Sequence, residues 1–240
     1  MLKMKQAAEL VLVLAEKKGM TDVDVVVERS DSLDVEIRDA KVEKVEQSTS
    51  LGLGVRILDE GRTGLASTER LNQESIAQAF QNACENAKLQ DETQVEMLDP
   101  PSVIPDPSTL ELYNPELDLL NGNDLTQLGL SIEDEVKATD ERVVSIPYLG
   151  VSRGRNESLL ISSRGVCYGQ QSNEVAAWCG PLLQDADSRK SGMQIYHRRE
   201  WDPQAGKRIA EEAIEKAAEL LKASPISGGK LPVVLDEYMA

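Results

Sequence analysis

The 240-residue chain predicts an α+β fold, two units of antiparallel β-sheet flanked by helices. Three observations carry that prediction. Apolar stripes of helical period twice bracket runs of two-residue alternation. A proline-rich segment without Lys or Arg separates the two groups. Hydrophobic residues at 40% and charged residues at 28% are ordinary proportions for a globular protein of one large or two modest domains.

The first unit is read over residues 1–89. Ala7, Leu10, Val11 and Leu14 recur at i, i+3, i+4 and i+7, an amphipathic helix stopped at Gly19. A β-branched run follows over 23–28, and then Leu33, Val35 and Ile37 alternate with Asp34, Glu36 and Arg38. Asp39, Ala40 and Lys41 turn the chain into a second alternating stretch, and residues 51–58 and 62–67 make a hairpin about Asp59, Glu60 and Gly61. Asn72 is a good N-cap for a helix whose stripe is Ile76, Phe80, Ala83 and Ala87. The expected order is helix, about five strands, helix. Gly52 and Gly54 do not begin a dinucleotide fingerprint, because Ile57 stands where the third glycine would fall and the strand continues. A bulge or a close backbone approach is the expected role of these glycines.

Residues 90–112 read as an acidic, Pro-rich linker. Between Leu89 and Val136 lie twelve acids and no Lys or Arg, so this stretch supplies 12 of the 16 net negative charges. The prolines stiffen the connection. The second unit spans 113–228. Leu125, Leu128, Ile132 and Val136 form a helical stripe, followed by strand-like runs over 143–152, 158–163, 166–179 and 193–200. Turns are expected at 153–156 and 163–165. Asp202 and Pro203 predict a helix start with Asp as N-cap, Ile209, Ala213, Ala217 and Leu220 line its face, and Glu212 and Lys216 form an i, i+4 pair. Residues 229–240 do not read as an ending: 231–235 look like a buried strand and 236–240 like the first turn of a helix. The expectation is the front portion of a longer polypeptide, truncated within its next domain.

Composition also narrows function. No stretch reaches the ~18 uncharged apolar residues of a membrane helix, and the N-terminus does not resemble a signal peptide, so a cytoplasmic location is expected. Cys84, Cys167 and Cys179 are few and widely spaced, fitting reduced thiols, and all three read as core residues. The single histidine, His197, excludes any multi-histidine metal site within this chain and reads as a surface or packing residue. The short basic pairs and eight aromatic residues give no nucleic-acid footprint. No residue can be assigned a catalytic, cofactor-binding or metal-binding role.

The stretches VEIRDAKVEKVEQS from Val35, LGLGVR from Leu51 and GLAST from Gly64 resemble the opening domain of the TldD/PmbA family. LDL at Leu117, SRG at Ser163 and PVVL at Pro232 follow in the expected order. The resemblance implies a two-component cytosolic metalloprotease, once labelled a modulator of DNA gyrase. In it a TldD-type subunit carries an HExxxH zinc site, and a metal-free PmbA/TldE-type sister pairs with it around a chamber for unfolded peptides. The zinc helix would follow the PVVL strand in a third, β-rich domain, past Ala240, so zinc is expected in the TldD-type partner and no ligand transfers to this chain. The stretches at 112–119 and 200–204 look more like PmbA/TldE. A fragment of the catalytic TldD-type subunit, or a non-enzymatic peptide-binding adaptor, are the alternatives.

Overall fold

The computed structural model describes residues 2–92, 95–97, 99–101 and 106–235. Helix α1 (Leu2–Lys18) leads into the long strands β1 (Val23–Arg38) and β2 (Lys41–Asp59), the short strand β3 (Arg62–Thr68) and helix α2 (Gln73–Ala87). Two 3₁₀ turns (Pro107–Leu110 and Pro115–Leu119) precede α3 (Gly122–Thr139), β4 (Val143–Ser162), β5 (Cys167–Asp185), β6 (Ser188–Ser191), β7 (Gln194–Arg198) and α4 (Gly206–Leu221). All seven strands belong to one antiparallel sheet ordered β3-β2-β1-β4-β5-β6, with β7 also paired to β5. The two predicted sheets are thus continuous, joined where β1 runs against β4 from Asp24 opposite Ser162 to Glu36 opposite Gly150.

Strands are fewer and longer than predicted. A turn is expected at 153–156, yet Gly154 lies opposite both Ser32 and Glu174, and Arg153 opposite Val175. A strand flanked on both sides has its backbone groups satisfied, and that outweighs the local turn preference of Gly and Asn. The turn at 163–165 forms as expected.

The four described helices cover one face. On β1 the odd-numbered Val23, Val25, Val27, Val35 and Ile37 are buried. The first three meet α1, α2, Leu53, Val55, Ile57, Leu159 and Ile161; the last two meet α3, α4, Val151, Val175, Ala177 and Cys179. Two apolar clusters therefore share one sheet. Helix α1 buries Met4, Ala7, Ala8, Val11 and Ala15, with Leu10 and Leu14 at the flank of the expected stripe. Asn72 caps α2 as expected, its Oδ1 accepting the Ser75 N–H at 2.8 Å. Gly64 permits the closest approach: a Cβ there would lie 1.9 Å from the Ala83 carbonyl oxygen of α2.

The start of α4 differs from expectation. Asp202 caps only a preceding turn, accepting the Gln204 N–H at 2.9 Å, and the helix begins at Gly206 without a side-chain cap. Ile209, Ala213 and Ala217 are buried as expected, while Leu220 is exposed, its place taken by Ala210 and Ile214. Buried Gln194 lies between Glu212 and Lys216, donating to one at 2.5 Å and accepting from the other at 2.5 Å. Residues 231–235, expected as a buried strand, are exposed and irregular because no described strand lies alongside to pair with them. The expected helical turn at 236–240 falls outside the described residues.

Candidate functional site

Between the two apolar clusters the helix-bearing face turns polar. Arg155 of β4 donates through Nη1 to Asp118 Oδ2 at 2.8 Å and through Nη2 to Glu157 Oε1 at 2.5 Å, with Tyr113 stacked 5.5 Å from its guanidinium. Tyr113 donates its hydroxyl to the same Asp118 oxygen, and that bond pushes its own pKa upward. Asn173 is 3% exposed and fully engaged. Its Oδ1 accepts the Asn114 N–H at 2.8 Å, its Nδ2 reaches Asn114 O at 2.7 Å and Asp118 Oδ1 at 3.1 Å, and its N–H meets Leu112 O at 3.1 Å. The network clasps the 112–118 segment onto the sheet, with the buried Nε of Arg155 left without a hydrogen-bond partner. Sequence reasoning missed it, because its partners lie about 40–60 residues apart and share no local pattern.

The opposite face of the sheet carries no helix among the described residues, and there the even-numbered residues of β1 and β2 emerge. It carries a trough of about 750 Å³ lined by Asp24, Val26, Gly54, Arg56, Leu65 and Leu160, with Asp99 and Pro101 at one side. Strand pairing builds it: Val26 stands between Gly54 and Leu160, and Asp24 opposite Arg56. Arg56 Nε donates to Asp24 Oδ2 at 3.0 Å, setting one ion pair in an otherwise apolar floor. Arg164 fixes the side wall, donating to Asp22 at 2.7 Å, to Met97 O at 3.1 Å and to Asp99 at 3.2 Å. Met97 itself is buried, so the linker is anchored to the sheet near its middle.

The glycines of β2 acquire their reason here. Neither makes a bulge, since the β1–β2 register is unbroken from Val23 to Glu36, and a Cβ on Gly54 would meet nothing within 4 Å. The missing side chains keep the trough open. Past Gly54 a second hollow of about 360 Å³, lined by Val26, Glu28, Gly52, Gly54 and Ser67, continues it.

The titratable candidates stay apart. His197, in β7, pairs with Glu174 Oε2 at 2.9 Å, both about half exposed. Cys84 is buried with its Sγ 3.4 Å from Met20 Sδ, and burial pushes the Cys179 thiol up to about 12, far from a reactive thiolate. Cys167, expected in the core, is exposed at the first position of β5. Among the described residues no three His, Cys, Asp or Glu side chains converge as metal ligands. No described helix is long and apolar enough to cross a membrane.

Comparison with known proteins agrees with this architecture. Residues 23–87 match the PmbA/TldA metallopeptidase domain 1, and residues 115–221 match the PmbA/TldA metallopeptidase central domain. A metalloprotease PmbA homolog of Haemophilus influenzae is 23% identical over 237 residues, 96% of this chain and 51% of that protein. TldE from Thermococcus kodakarensis superposes with a TM-score of 0.75 at 17% identity, covering 88% of this chain and 47% of its own. A Bacteroides thetaiotaomicron protein named as a modulator of DNA gyrase gives 0.78 at 21%, covering 92% and 51%. The chain spans about half the length of these relatives. With both domain matches in chain order on one shared sheet, the chain belongs to the PmbA/TldD metallopeptidase family.

Proposed function

We propose that this chain is the N-terminal part of a PmbA/TldE-type subunit, acting in the cytoplasm with a TldD-type sister that supplies the zinc and the cleavage of unfolded peptides. The observation that carries this reading is the helix-free trough. It is apolar, extended along the strands and floored by one ion pair, a shape suited to an unfolded segment that offers apolar side chains without defined sequence. Family membership supplies the reaction class, and the similarity to a TldE supports the subtype. In such a system the metal polarises the scissile carbonyl and activates water. This chain's residues would bind and orient the peptide.

The test is zinc-dependent cleavage of an unfolded peptide by the natural full-length protein, by a TldD-type sister, and by their mixture. Cleavage confined to the mixture is expected. Chelator-sensitive cleavage by this protein alone would assign it to the catalytic type, and peptide binding without cleavage in any combination would assign it to an adaptor.

A further inference from the structure

The trough and the hollow beyond it form one run along β2, and its charge is uneven. At the near end Asp24 is met by Arg56, and Asp99 by Arg164. At the far end Glu28 and Glu69 line the second hollow, and neither forms a hydrogen bond or ion pair with any described residue. Arg70, the nearest cation in sequence, lines a different hollow beside α2.

Strand pairing sets where the two carboxylates stand. Glu28 lies opposite Gly52. On the other side of β2, Thr68 lies opposite Leu53, so Glu69 follows beside Gly52, just past the end of β3. Their backbones are two strand spacings apart, roughly 10 Å. Nothing stands between them, for a Cβ on Gly52 would meet only Thr68 O, at 4.0 Å. Two residues along β2, Gly54 lies between Val26 and Ser67, with Leu65 beside it. Val26 is 39% exposed and Leu65 61%, so the apolar end has no cover.

Two like charges facing one open space attract a cation. An extended peptide repeats its side-chain direction every second residue, about 6.8 Å along, the same step that separates Gly54 from Gly52. A segment lying over this glycine floor, with an apolar side chain between Val26 and Leu65, points the side chain two residues away between Glu28 and Glu69. A cationic group there matches both carboxylates, a neutral one leaves them unmatched, and an acid is repelled.

We propose that the glycine-floored run of β2 selects extended segments carrying an apolar residue and a Lys or Arg two positions apart, with Glu28 and Glu69 as the specificity-determining residues. This rests on the trough as the peptide site of the proposed function and adds the selection made at its far end. Fluorescence anisotropy with the 240-residue chain tests it. The probes are end-capped hexapeptides with a neutral fluorophore, all serine except Leu at the second position and Lys at the fourth. The Lys peptide should bind about fivefold or more tighter than its Gln counterpart at low salt, and the advantage should vanish near 1 M salt. Moving Lys to the third position turns it away from the sheet and should remove the advantage, which separates these two carboxylates from the general pull of a net charge of −16. Glu28→Gln with Glu69→Gln should bring the Lys peptide down to the level of the Gln peptide and leave the Gln peptide unchanged. Both side chains are exposed, so the melting temperature should hold within about 2 °C. Equal binding of the Lys and Gln peptides, or an advantage that survives the double substitution or the shift of Lys, would overturn this inference and leave the trough reading standing. No binding of any of the peptides up to about 1 mM would overturn both.

Discussion

The carboxylate of Glu133, in α3, accepts the backbone N–H of Ala40 at 2.8 Å, fastening the tip of the β1–β2 hairpin to a helix 93 residues further along the chain. The same carboxylate takes Lys137 Nζ at 2.7 Å through its other oxygen and is 3% exposed. The bond matters because Asp39 and Ala40 sit at φ 51 and 56, a left-handed turn without glycine. Glu133→Ala should cost about 1–3 kcal/mol, leaving the Ala40 N–H without its acceptor. Ala40→Gly should stabilise by about 0.5–1 kcal/mol, since relief of the left-handed strain exceeds the added freedom of the unfolded chain. Urea denaturation of both variants checks the pair of signs.

Two glycines one hairpin apart should respond oppositely to a side chain. Gly64→Ala drives a Cβ into the α2 backbone and should destabilise by about 2–3 kcal/mol. Gly54→Leu enters open space, so the melting temperature should hold within about 2 °C. By filling the trough it should abolish binding of an unfolded peptide measured by fluorescence anisotropy. Retained peptide binding in a folded Gly54→Leu protein would remove the trough from the proposed function.

Acid should weaken the fold through particular carboxylates. The Arg142 side chain holds the Asp140 carboxyl below its ordinary 3.8, and Arg29 does the same for Asp31. A depressed carboxyl contributes stability that is fully present above its unfolded value and is lost as pH falls through its folded value. Unfolding free energy should therefore decline from about pH 4 downward, with a shallower slope in Asp140→Asn. Denaturation at a series of pH values measures both slopes.

Thiol chemistry should separate the three cysteines. Exposed Cys167 should react with a disulfide reagent at once in the native protein, and buried Cys84 and Cys179 only on unfolding. A thiol count against time, with and without denaturant, reads this directly.

The sequence and the structure part company where contacts are distant. Helix faces such as Leu125, Leu128, Ile132 and Val136 are legible because a 3.6-residue period is local, and Asn72 because a cap reaches only three residues ahead. The 153–156 stretch misled because its turn-forming composition is outweighed by pairing partners that no local window contains. Likewise, Gly52 and Gly54 advertise a special backbone in sequence, while their use is an open space whose lining from β1, β2, β3 and β4 only the fold brings together. The Asn173 clasp leaves no trace in sequence at all, because one buried amide meets Asn114 and Asp118 through the fold alone.

The β1–β4 seam has a consequence for dissection. Thirteen consecutive residues of β1 lie opposite β4, so a cut in the acidic connector would not release two self-sufficient pieces. Each half would carry a long bare strand whose natural mate is on the other. Expressed apart, the halves should be insoluble or misassembled; expressed together, they should reconstitute by fragment complementation.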